Sequence, residues 1–151
     1  MWIEIISILA AGVATVLYFL LSYRVLIPYF HQFNYPFNDA TKLVLALSFI
    51  GSSIVLYFFG TPAMLAFKTI GADKLNQAIY VFVALFIAAM IYSIVLFRFS
   101  ALVVQVTLRE NEKAELAKNN FQVAGFHGVV HIFFALLLSE RVVSAILSIL
   151  Q

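Results

Sequence analysis

Four apolar segments, about 5–27, 42–59, 78–98 and 121–140, are each long enough to cross a bilayer, and they constrain this chain more than any other feature. Crossing a hydrocarbon core takes roughly 20 apolar residues at about 1.5 Å of rise each. In lipid a spanning segment must also satisfy its own backbone polar groups, which a helix does. The expected fold is therefore an all-α integral membrane protein of four transmembrane helices, built as a single membrane domain over residues 1–151. Composition agrees: 64% of the residues are hydrophobic and 11% charged, against about 45–50% and about 25% in soluble domains. The first partner is the lipid bilayer.

Several classes of function are excluded. There is no cysteine, so no disulfide framework, thiolate nucleophile or cysteine-based zinc site. The formal charge of +2 is small and scattered, which argues against nucleic acid. No phosphate-binding glycine loop, Ser-His-Asp set or HExxH motif occurs. The chain is expected to be no enzyme, with no catalytic residues, cofactor, metal or identified small-molecule substrate. Met1-Trp2-Ile3-Glu4 lacks a basic start, so the first apolar run reads as a retained helix.

In the first span Ala10, Ala11, Gly12, Ala14 and Thr15 form a small-residue patch for helix packing, and Trp2, Tyr18, Tyr23 and Arg24 read as interface anchors. The connection from Pro28 to Thr41 is aromatic and interfacial, with His31 among its aromatics and Asn38 or Asp39 as N-cap of the next helix. The second span has a weakly polar face of Ser48, Gly51, Ser52 and Ser53, and Gly60-Thr61-Pro62 is predicted to stop it. Neither Gly nor Pro interrupts Ala78 to Lys118, which predicts one long third helix that leaves the membrane. Its solvated part would carry Glu110, Glu112, Lys113, Glu115 and Lys118, with Arg109, Glu112 and Lys113 as candidates for docking a soluble partner.

The fourth span differs from the others. From Lys118 to Leu138 it reads K-N-N-F-Q-V-A-G-F-H-G-V-V-H-I-F-F-A-L-L-L. His127 and His131, spaced i,i+4, share one helix face, about 6 Å apart. That spacing suits metal or haem ligation, but no carboxylate lies in the same stretch and no other span offers a histidine. The plain alternative is hydrogen bonding across helices inside the bundle. Gly125 and Gly128, with Ala124 at small-xxx-small spacing from Gly128, favour close helix contact, as does Gly51 in the second span. Glu140 beside Arg141 is a third polar candidate, and the tail beyond can continue the helix or lie on the membrane. Four spans put Arg24, Lys42, Arg98, Arg109, Lys113 and Lys118 on one side and Lys68, Lys74 and Arg141 on the other. The first side is then cytoplasmic and both termini lie outside.

A shift of 81 residues brings the halves, 1–75 and 76–151, into register. Asn38-Asp39-Ala40 falls on Asn119-Asn120-Phe121, and Lys42–Phe59 on Val123–Glu140. With two spans per half, the repeats would be parallel. The pattern resembles the bacterial domain-of-unknown-function family 350, the YjfL-like inner-membrane proteins. In that family each second helix opens with a polar Asn and continues with small residues. The resemblance is carried by Glu110 to Gly128, E-N-E-K-A-E-L-A-K-N-N-F-Q-V-A-G-F-H-G, and more faintly by Asn38 to Gly51. It implies an oligomerising protein of the bacterial inner membrane; in such a membrane the charge count above makes both termini periplasmic.

Three functions fit. The first is a self-associating structural or interaction subunit, a homo-oligomer or part of a larger membrane complex. The second is an ion or solute transporter or channel component that uses His127 and His131, with Glu140 as a further ionisable candidate. The third is a haem- or metal-binding membrane protein.

Overall fold

A computed structural model describes residues 12–13, 15–21, 24, 37–69, 75–109 and 111–150. Five helices occur among them: α1, helical at 15–21, α2 (Asp39–Thr69), α3 (Leu75–Leu108), α4 (Glu112–Ala117) and α5 (Phe121–Leu150). Residues 12, 13 and 24 are also helical. Three helices, α2, α3 and α5, are long and apolar enough to cross a membrane. Most of the span expected over 5–27, the connection carrying His31, and Glu110 lie outside the described residues.

Asparagines start the helices. Asn38 Oδ1 accepts from the Thr41 amide at 3.0 Å and caps α2. Asn120 Oδ1 accepts from the Gln122 and Val123 amides at 3.0 and 3.3 Å and caps α5. A capping side-chain oxygen satisfies an amide that the helix itself leaves without a partner.

Two predicted helix boundaries are corrected. The second span does not stop at Gly60-Thr61-Pro62, because α2 runs through Pro62 to Thr69. Proline removes one amide donor, a loss that a helix in lipid tolerates where side chains serve the neighbouring carbonyls. The carbonyl that Pro62 leaves without its helical donor is that of Phe58; Thr61 Oγ1 donates to the adjacent Tyr57 carbonyl at 2.9 Å. The third helix does not extend to Lys118 either. It ends at Leu108, and Arg109 takes a left-handed backbone conformation with φ 54°. Asn111 then caps α4, accepting from the Ala114 amide at 3.3 Å. The chain folds back instead of projecting into water, since Leu116 is fully buried in a cluster with Ala40, Val44, Leu45, Phe97 and Ala124. The tail question is resolved by α5, which continues unbroken through Glu140 and Arg141 to Leu150, about 45 Å at 1.5 Å per residue.

α2 and α5 run parallel. Their first turns meet through α4 and Asn119, and further along Leu47 packs on Gly128 and Gly51 on His131. α3 runs antiparallel to both. Ser100 meets His131 near one end of the bundle, while Tyr92 faces Ser139 farther along. The interior holds a buried apolar cluster that includes Tyr18, Val55, Phe59, Leu85, Leu96 and Ala135. Tyr18, expected at the interface, lies inside, with its hydroxyl hydrogen-bonded to Ser93 Oγ. The outward faces carry large apolar side chains such as Ile87, Ile91, Val95, Phe133 and Leu136. That inversion suits lipid as the solvent.

Candidate functional site

His127 lies on the inward face of α5, with Phe121 to His127 spanning about 9 Å of helix. The ring is fully buried, and Nδ1 sits 2.5 Å from Glu112 Oε1. Glu112 is itself only 5% exposed, because it shares the buried face of α4 with Leu116 one turn on. With Glu112 as the carboxylate and His127 as the neutral imidazole, the shared hydrogen lies on Nδ1 and Nε2 is left as an acceptor. Among the described residues that Nε2 has no hydrogen-bond partner.

One turn deeper, His131 repeats the arrangement. Ser100 Oγ donates its one hydrogen to the Leu96 carbonyl at 2.8 Å. Its 3.4 Å contact with His131 Nδ1 therefore needs the hydrogen on the ring. His131 Nε2 is left as a second buried acceptor without a partner among the described residues. The two rings lie 6.4 Å apart and 19° from parallel, and Phe97 packs against both at 4.8 and 6.1 Å. Glycine makes room for this packing. A Cβ on Gly51 would fall 2.8 Å from His131 Nε2 and closer still to Cδ2. Ser48 and Ser52, buried on the same face of α2, complete the surroundings.

The geometry sorts the residues singled out from the sequence. It brings together His127, His131, Gly51, Ala124, Gly128 and, unexpectedly, Glu112. Gly51 and Gly128 serve contacts within the chain, Gly128 against Leu47, and Ala124 is buried beside Leu116 and Phe97. Gly125 is different, since a Cβ there would meet nothing within 4 Å. Glu140 is exposed on the outer side of α5 and takes no part in the cluster. Of the docking candidates, Arg109 is exposed and Lys113 half-buried, while Glu112 is turned inward to His127. Ser100 and Phe97 were not foreseen. The Glu112–Leu116 spacing of i,i+4, in a run otherwise free of large apolar residues, was the signal that Glu112 would point inward.

A second polar cluster lies farther along the bundle. The Tyr92 and Ser139 hydroxyls face each other, yet neither completes an aligned hydrogen bond among the described residues. Between the two clusters the interior is apolar.

No protein-family model matches the chain, and neither a curated protein nor a solved structure matches it.

Proposed function

We propose that the chain is a proton-transferring subunit of a bacterial inner-membrane assembly and not an enzyme. One observation carries this reading: a buried carboxylate and a buried imidazole joined at 2.5 Å at one end of a membrane-length bundle. Ionisable groups are costly in such surroundings and commonly serve proton or ion movement. The step balances simply. A proton taken at His127 Nε2 gives a transient imidazolium, which releases its Nδ1 hydrogen to the Glu112 carboxylate. Glu112 then passes that proton toward the membrane surface, and rotation of the ring restores the starting tautomer. The bare nitrogen acceptors suit a proton better than an alkali or alkaline-earth cation, which wants a cage of oxygen ligands.

The haem and metal reading draws no support from this arrangement. The two histidines stand side by side on one helix face and cannot approach one iron from opposite sides. No group of three His, Asp or Glu suited to a metal ion occurs among the described residues.

The wider architecture belongs to the same proposal: four spans as two parallel two-helix repeats, cytoplasmic connections at Asn38 and Asn111–Asn120, periplasmic termini, and membership of family 350. Supporting it, α2 and α5 are parallel, each opens on an asparagine cap, and they touch at Leu47 and Gly128, which are related by the 81-residue shift.

A second reading, a self-associating structural subunit, is favoured by Gly125, a small residue on α5 with open space before it. The mass of the nanodisc-embedded particle, with and without Gly125→Leu, tests that reading.

The proton reading is tested by reconstituting the protein in vesicles with a trapped pH dye and an imposed potential. The native protein should carry a proton flux above empty vesicles, and His127→Ala and Glu112→Gln should abolish it. Native flux in His127→Ala would sink the reading.

A further inference from the structure

The interior is polar at two levels and apolar between them. The first level holds Glu112, His127, His131 and Ser100. The second holds Tyr92 and Ser139 on facing helices, with the Tyr18–Ser93 hydroxyl pair one residue away on α3. Along α5, Phe121 to Ser139 spans about 27 Å at 1.5 Å per residue. That is close to the thickness of a hydrocarbon core, about 30 Å. His127, His131, Ala135 and Ser139 follow one another at i,i+4, and all are buried. Opposite the midpoint of this stripe stand Val55 of α2 and Leu96 of α3, in the same buried apolar cluster as Ala135.

The second level has the marks of a water-binding site. Ser139 is fully buried, and its hydroxyl and that of Tyr92 have no hydrogen-bond partner among the described residues. Buried hydroxyls in that condition are ordinarily served by ordered water.

Resting on the proton reading above, we propose that Tyr92 and Ser139 form a water-binding far station of the same path, and that Val55, Leu96 and Ala135 are an apolar gate between the two stations. A hydronium at the far station hands a proton across the gate to His131 Nε2 when the gate wets, and a neutral water is left behind. The proton replaces the one His131 passes on toward His127, so no charge accumulates. Apolar constrictions of this kind gate by wetting and drying.

The test uses the full chain in vesicles, with the trapped pH dye and a co-trapped inert dye that reports leakage. Tyr92→Phe combined with Ser139→Ala is expected to bring the flux down to that of empty vesicles, since it removes both hydroxyls of the far station. Ser139→Thr, which keeps a hydroxyl, should retain it. Leu96→Ala should raise flux severalfold without inert-dye leakage, and adding His127→Ala should return it to background. Native flux in the Tyr92–Ser139 double variant, with His127→Ala still inactive, would overturn the far station and leave the proton reading standing. Leu96→Ala without a rise would overturn the gate. Native flux in His127→Ala would remove both.

Discussion

Asn38 and Asn119 each complete the other's helix end. Asn38 Nδ2 donates to the Leu116 carbonyl in the last turn of α4 at 2.5 Å, and Asn119 Oδ1 accepts from the Ala40 amide in the first turn of α2 at 2.9 Å. Asn119 does this from a left-handed conformation, φ 60°, that ends α4 in a Schellman turn: its amide bonds the Leu116 carbonyl and that of Asn120 bonds Glu115. The exchange holds α4 under the start of α2, and so keeps Glu112 against His127.

Asn119→Ala should therefore lose twice. The left-handed backbone costs a residue with a Cβ about 1–2 kcal/mol, and the lost acceptor adds about 1 kcal/mol. Asn119→Gly escapes the first penalty and carries only the second, so it should be the milder variant. Unfolding of the two proteins in mixed detergent and denaturant gives the order directly, and equal losses would refute the role of the left-handed turn.

Glu112 and His127 can be separated into structure and function. Glu112→Leu leaves the buried His127 Nδ1–H without an acceptor, which costs about 1–3 kcal/mol. Adding His127→Leu removes the orphaned donor, and replacing a buried polar pair by apolar side chains is often close to neutral. The double variant should regain most of the lost stability yet remain inactive in proton flux. Recovery of flux along with stability would show that the pair only holds α4 in place.

Much of the fold was legible because its cause is local. Apolar length marked α2, α3 and α5, and asparagine before each of α2 and α5 marked their starts. What escaped was tertiary. Pro62 stops helices in water, but in lipid the helix has nowhere better to put its backbone, and α2 continues. Nothing between Arg98 and Lys118 resembles a breaker, yet burying Leu116 outweighs the cost of turning Arg109 left-handed. The site was half legible for the same reason. His127 and His131 stand out in an apolar run, whereas Glu112 looked like one of several solvated charges until the chain folded back on α5.

The glycines of α2 and α5 should respond in opposite ways to alanine. Ala is favoured over Gly in a helix by about 1 kcal/mol, and at Gly125 a Cβ meets nothing, so Gly125→Ala should stabilise the isolated chain. At Gly51 and Gly128 the Cβ would fall 2.8 Å from His131 Nε2 and from Leu47 Cγ, with nearer atoms behind each. Overpacking of this sort costs about 1–3 kcal/mol, enough to reverse the gain. Thermal unfolding of the three single variants in one detergent checks the sign at each site.

Strong acid should loosen the α4–α5 junction through Glu115. Lys118 Nζ and Asn120 Nδ2 donate to the two oxygens of Glu115 at 2.5 and 3.0 Å, and these hydrogen bonds hold its carboxyl below the usual glutamate value. A depressed folded value means that the stabilisation is fully present above the unfolded pKa, the ordinary glutamate value of 4.5. It is lost as the pH falls through the folded value. Glu115 is therefore expected to weaken the turn only below its ordinary range, leaving the junction unchanged between neutral and mildly acidic pH. Amide exchange at residues 115–120, corrected for its intrinsic pH dependence, should show protection falling in strong acid in the native protein. Glu115→Gln keeps an acceptor but cannot ionise, so its protection should be lower at neutral pH and flat as the pH falls. A native profile equally flat through that range would mean that Lys118 and Asn120 contribute nothing through this carboxylate.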